Sequence, residues 1–211
     1  MLALPRYDWR MGTLRKWFGP SREEVWRQLS AAIGGRFVEG GFFKSDRVEA
    51  EHGPWVVTLD NYTVSTGKVT VVFTRLRAPY VNPDSFRFTI YRKGFFSEIG
   101  KWFGMQDIGI GDPTFDEAFI IKGNDERKVR ALFADPKLRE LIAAQPEIHF
   151  EVKDDDRWFG KKFPEGVDEL YFQVVGVIKD VARLEQLFAL FAETLDQLCR
   201  IGSAYETEAH V

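Results

Sequence analysis

Basic residues at alternate positions are the first feature of this chain that could do chemistry. Arg75 and Arg77 stand two apart in a run rich in β-branched residues, so a strand would turn both guanidiniums to one face. Arg87 and Lys93 share a face of the next run in the same way. Guanidiniums so placed could hold phosphate or carboxylate groups through paired hydrogen bonds. They could equally form the wet face of an antiparallel sheet, ion-paired with the acidic part of the chain. A second pattern joins a cation to two large aromatics: Lys16-Trp17-Phe18-Gly19, Lys101-Trp102-Phe103-Gly104 and Arg157-Trp158-Phe159-Gly160. Gathered in space, Trp17, Trp102 and Trp158 would make an aromatic-basic surface suited to a membrane interface or an anionic aromatic ligand. Read separately, each is a packing anchor at the end of an element. The unequal spacing of the copies argues against a solenoid, whose period is fixed.

Acid–base chemistry would fall to carboxylates such as Asp60, Asp112 or Asp116, whose proton affinity burial can tune. Their spacing does not single them out from the other acids. His52, His149 and His210 lie far apart, and no CxxC occurs, so a zinc site has little basis. Asp154-Asp155-Asp156 lacks the alternating acids, central glycine and closing glutamate of a calcium loop. Ser65-Thr66-Gly67-Lys68 fails as a phosphate loop: Tyr62 stands where its first glycine belongs, and Val69 where its hydroxyl belongs. Gly109-Ile110-Gly111-Asp112 lacks the third glycine of a dinucleotide fingerprint. No GxSxG elbow is present, and Cys199 reads as a buried thiol on a helix rather than a nucleophile. No metal or other cofactor is expected from these residues.

The 211 residues are 45% hydrophobic and 29% charged, enough to bury about 70% of the unfolded surface without staples. The single cysteine rules out an internal disulfide and leans towards a cytoplasmic setting. MLALPRYDWRMG does not read as a signal peptide, and no apolar run is long enough to span a bilayer. The net charge of −3 is uneven: residues 1–105 carry 16 Lys and Arg against 10 Asp and Glu, and the remainder 13 against 22. Either the basic half meets an anionic partner, or the halves neutralise each other within one fold. The pI of 5.7 makes nucleic acid an unlikely partner, since its usual binding domains lie above 9.

These residues need elements to hold them. A short helix is expected near Trp9–Phe18. Ser21 and Glu24 have capping-box spacing, and Val25, Trp26, Leu29 and Ile33 follow at helical intervals up to Gly34-Gly35. From Arg36 to Lys93 the pattern changes to strands, with Trp55, Val57 and Leu59 alternating, then Val69–Leu76, then Phe86, Phe88 and Ile90. Ala118–Lys122 reads as a strand after a loop at Asp112-Pro113. Asn124 and Asp135-Pro136 each start a short helix. Ile148–Val152 and Leu170–Val177 are the last strands, with a loop over 153–168. Val181, Leu184, Phe188, Phe191, Leu195 and Leu198 form one stripe of a long helix capped by Asp180, facing a core or, alternatively, a dimer partner. The tail from Ser203 reads as frayed. Clustered strands predict α+β: antiparallel sheet packed against helices, with a long C-terminal amphipathic helix. The expectation is one domain over 1–211, with a possible division near 105–115 into two similar halves.

The segment Phe115–Glu126, followed by Lys128-Val129-Arg130-Ala131-Leu132-Phe133, resembles a strand–cap–helix unit of uncharacterised bacterial proteins of unknown function, over roughly residues 115–145. The resemblance implies a bacterial source and no activity. The sequence therefore points first to a non-catalytic binding or interaction protein. Its partner would be an anionic membrane surface bound peripherally, an acidic protein or an amphipathic small molecule. An enzyme with a carboxylate site, and a subunit dimerising through its last helix, are the alternatives.

Overall fold

The computed structural model describes residues 19–41, 45–65, 67–94, 106–154, 163–207 and 209. The expected helix at Trp9–Phe18 and the three Trp-Phe pairs, with Trp17, Trp102 and Trp158, lie outside them. Ser21 opens α1 (Arg22–Ala32) through a complete capping box with Glu24. Val25, Trp26 and Leu29 are its buried stripe. Five strands follow: β1 (Arg36–Val38), β2 (Arg47–His52), β3 (Trp55–Ser65), β4 (Thr70–Val81) and β5 (Phe88–Arg92). Then come β6 (Gln106–Asp107), α2 (Pro113–Ala118), β7 (Phe119–Gly123), α3 (Glu126–Leu132), α4 (Pro136–Ala143), β8 (His149–Lys153), β9 (Val167–Val175) and α5 (Val181–Arg200).

The fold is α+β, as the clustered strands predict. The nine strands among the described residues form one antiparallel sheet in the order β1-β2-β3-β4-β9-β8-β5-β7-β6. The sheet passes unbroken from β4 to β9, across the division considered near 105–115. One cross-strand row runs through the core: Phe37, Val48, Leu59, Leu76, Phe172, Phe150, Ile90 and Ile121 are successive register partners. Six of them, Val48 to Ile90, are fully buried. The helices pack on this face. The Phe191 ring of α5 lies 5.4 Å from Phe150, and Phe133, just after α3, meets Phe88 edge-on at 5.5 Å.

The C-terminal helix follows its periodicity. Asp180 caps it, and Leu184, Phe188, Phe191, Leu195 and Leu198 are all buried. The stripe is spent inside the chain's own core, so it offers no seam for a second copy. Leu187 and Leu190 are buried too, because α5 packs against α1 and α4 as well as the sheet. Glu193 is buried on the same helix and is matched by Lys137 of α4 at 2.6 Å, whose ammonium draws its pKa below the ordinary glutamate value.

Three local expectations need correction. Asp112-Pro113 starts a helix: Asp112 accepts hydrogen bonds from the Thr114 and Phe115 amides, with proline at the first helical position, so Phe115–Ala118 is helical. The N-cap of α3 is Asp125, while Asn124 spends its side chain on the Arg87 amide and the Ser85 carbonyl. The chain beyond α5 is docked: Ser203 is fully buried between Lys128 and Asp84, and the Tyr205 amide bonds the Val81 carbonyl. In addition, β9 starts at Val167, inside the stretch expected to be loop.

Candidate functional site

Successive residues of a strand face opposite sides, so the rows flanking the apolar core row point away from the helices. One contains Arg47, Asp60, Arg75 and Gln173 as register partners. The other contains Thr58, Arg77, Tyr171, Glu151, Thr89 and Lys122. A wet sheet face would leave such residues exposed. Instead Asp60, His149, Glu151, Glu169 and Tyr171 are all under 9% exposed and Thr89 is fully buried. Buried ionisable groups persist only when paired, and here they pair.

Asp60 is the hub. Arg75 grips its carboxylate with two parallel hydrogen bonds, Nε to Oδ1 at 2.8 Å and Nη2 to Oδ2 at 2.7 Å. Arg77 Nη2 adds a third at 2.8 Å, and its Nη1 reaches towards Glu169 at 3.9 Å. Burial works against the charge of Arg75, but its bonds to Asp60 keep the pKa above the usual arginine value. Next to this hub, Gln173 Oε1 accepts from the hydroxyls of Tyr62 (2.6 Å) and Tyr171 (3.0 Å). Its amide nitrogen lies 3.4 Å from His149 Nδ1, and His149 Nε2 lies 3.4 Å from the Glu151 carboxylate. Burial pushes the Tyr171 hydroxyl well above the ordinary tyrosine pKa, so it stays a proton donor.

Lys153 sits with its ammonium 3.1 Å from the centre of the Tyr171 ring. Burial pulls its pKa below the usual lysine value, and the nearby carboxylates of Glu151 and Glu169 do not restore it. A depressed folded-state value means that the unfolded chain holds the proton more tightly. Stability therefore carries the full penalty below the lowered pKa and recovers as pH rises towards 10.5, the ordinary value. Relative to a Lys153→Met variant, the natural chain is expected to gain stability between neutral pH and about pH 10, read by urea unfolding. A flat or falling difference contradicts this.

The sequence-derived candidates are thus only partly gathered. Arg75 and Arg77 share the buried face, where Asp60 neutralises them instead of leaving them to an anion. Arg87 lies elsewhere, ion-paired with Asp168 at 3.3 Å and Asp154 at 3.0 Å. Lys93 donates to the Asp116 backbone carbonyl at 2.9 Å. The three carboxylates are each committed to structure: Asp60 holds two arginines, Asp112 caps α2, and Asp116 accepts the Ile110 and Gly111 amides at 2.9 and 3.0 Å. That last pair explains Gly109-Ile110-Gly111 as a loop wrapped around one carboxylate. Sequence reasoning missed Tyr62, His149, Glu151, Lys153, Glu169, Tyr171 and Gln173. Their signal was period-2 alternation: His149, Glu151 and Lys153 alternate with Phe150 and Val152, and Glu169, Tyr171 and Gln173 with Leu170, Phe172 and Val174.

Along this face the chemistry grades towards the β3–β4 hairpin tip. The cross-strand pairs run Asp60–Arg75, then Tyr62–Phe73, then Val64–Val71. Arg75 lies over the Tyr62 ring at 4.7 Å, and Tyr62 stacks on Phe73 at 5.1 Å. Val175, the register partner of Phe73, is 60% exposed. At the charged end, Thr89 Oγ1, Glu151 Oε2 and Arg77 Nε are buried without a hydrogen-bond partner among the described residues. A separate concavity of about 440 Å³ lies beside α2 and α4, lined by Phe115, Phe119, Arg92 and Arg139. Its arginines are occupied: Arg92 donates to the Ala143 and Gln145 carbonyls, and Arg139 to that of Phe133. Among the described residues no cluster of three His, Cys, Asp or Glu is placed to hold a metal ion, and no helix is long and apolar enough to cross a membrane.

These features define an α+β protein with a helix layer on one side of an antiparallel sheet and a shielded ionisable network on the other. Comparison with protein-family models finds no match, and neither does comparison with curated proteins, in keeping with a resemblance limited to proteins of unknown function. Among solved structures, the chain is similar to the mycobacterial trehalose monomycolate transport factor A, TtfA, at a TM-score of 0.49 and 9% identity. That match covers 84% of this chain and 94% of TtfA.

Proposed function

We propose that this is a non-catalytic binding protein that receives an amphipathic ligand on the sheet face turned away from its helices. The observation that carries this reading is the gradient along that face, from the Asp60–Arg75 pair through Tyr62–Phe73 to Val64–Val71. A ligand with a polar head and an aliphatic chain has the same order of chemistry. The head meets cations Arg75, Arg77 and Lys153 balanced by anions Asp60, Glu151 and Glu169. That balance favours a neutral or zwitterionic head over an anionic one. Its donors and acceptors would satisfy Thr89 Oγ1 and Arg77 Nε, each buried without a hydrogen-bond partner among the described residues at a cost of about 1–3 kcal/mol. The chain would lie on Tyr62, Phe73, Val71 and Val175.

Calorimetric titration with dodecylphosphocholine below its micelle concentration tests this. Saturable binding is expected, weakened about tenfold or more when phosphocholine replaces the amphiphile, because the chain's apolar contacts are lost. Laurate, with its anionic head, should bind more weakly than dodecylphosphocholine. No saturable binding, or a preference for laurate, contradicts the reading.

A further inference from the structure

The tip of the β3–β4 hairpin stands apart from the sheet that carries it. Pairing of β3 with β2 ends at Asp60–Arg47, and pairing of β4 with β9 ends at Phe73–Val175. Among the described residues, 62–65 and 70–71 therefore extend beyond both neighbouring strands as a two-stranded arm, a form that is marginal in water without something to pack against. The described residues include six exposed large hydrophobics, and four are at this end: Val64, Val69, Val175 and Val177. Val177 is held beside the arm because the Gly176 amide bonds the Val72 carbonyl and the Ile178 amide bonds Thr74 Oγ1. The segments that carry them are free of acids, and Asp180, which follows Lys179, is committed to capping α5. Residues 61–83 and 170–179 contain no Asp or Glu, in a chain with 32 of them. Exposed Lys68 caps the hairpin and exposed Lys179 follows Val177.

We infer that this arm docks the protein on an anionic lipid bilayer, with its valines entering the interface and Lys68 and Lys179 meeting the headgroups. Aliphatic side chains alone would fit any apolar partner; the absence of carboxylates among them selects a negatively charged surface. A bilayer also supplies both halves of the match, since anionic headgroups lie directly above the acyl boundary. The arm shares Val64 and Val175 with the proposed ligand track, but Lys68, Val69, Val177 and Lys179 lie outside it, so docking does not require the ligand to be bound.

Co-sedimentation with vesicles of phosphatidylcholine alone, and of phosphatidylcholine with phosphatidylglycerol, tests it on the full chain. Pelleting with the anionic vesicles is expected to exceed that with neutral ones and to fall as salt is raised. Lys68→Glu should weaken partitioning by about fivefold or more, and Val69→Asp with Val177→Asp should abolish it. These exposed positions should leave the urea midpoint unchanged, which separates lost docking from lost folding. The dodecylphosphocholine titration on the same variants should match the natural chain, so the two proposals can fail separately. Equal pelleting with both vesicles, none at all, or pelleting indifferent to the variants overturns the inference. So does sedimentation showing a dimer that Val69→Asp disperses, because the arm would then meet a second copy.

Discussion

Phe150→Ala is expected to cost about 3–5 kcal/mol of folding stability, seen as a large drop in the urea midpoint with an intact slope. Phe150 is fully buried at the centre of the cross-strand row, flanked by Ile90 and Phe172. Its ring meets Phe191 of α5 at 5.4 Å and Phe88 of β5 at 5.8 Å. Truncation removes contacts to the sheet and to the C-terminal helix together. Neighbours tied to a nine-stranded register cannot collapse fully into the space left, so a cavity term adds to the lost transfer energy. A loss below about 1 kcal/mol would mean that this row does not carry the core.

Asp60→Ala is expected to cost about 3 kcal/mol, although it removes only three heavy atoms. The side chains of Arg75 and Arg77 are only 23% and 24% exposed, and both lean on this one carboxylate. Deleting it leaves two shielded guanidiniums next to each other and next to Lys153. The cost comes from the abandoned charges rather than from the net value of the pair. A triple variant, Asp60→Leu with Arg75→Leu and Arg77→Met, should therefore recover most of the loss. Equal instability of the single and triple variants would show that packing, not charge, is at stake.

Much of the fold was legible because its signals are local. Ser21 with Glu24, Asp135 with Pro136, and Asp180 before the apolar stripe each specify a helix start through backbone amides a few residues away. The alternation of Trp55, Val57 and Leu59 likewise gives strand and buried face together. Asp112-Pro113 carried the same chemistry as Asp135-Pro136 but read as loop, because the helix it opens is only six residues long and gives no periodicity. Strand order was not legible. That β4 pairs with β9, some 90 residues on, depends on the row from Leu76 to Phe172, which no local spacing encodes.

The site was legible only in halves. Alternation placed Arg75 and Arg77 on one face, but the same alternation reads as a solvated surface. What changes the meaning is burial, and burial depends on which strands are neighbours. Only the register brings His149, Glu151 and Lys153 of β8 beside Tyr171 and Gln173 of β9, and Asp60 beside Arg75. The arginines that looked like an anion site are therefore internally neutralised, and the tip residues of the same face carry the exposed apolar surface.

The most direct test of the binding proposal is a chemical-shift map of the isotopically labelled protein titrated with dodecylphosphocholine. Perturbations are predicted to concentrate at Thr89, Glu151, Tyr171 and Gln173 for the head and at Tyr62, Phe73 and Val175 for the chain. Shifts confined to the helix layer, or to the concavity beside α2 and α4, would contradict it.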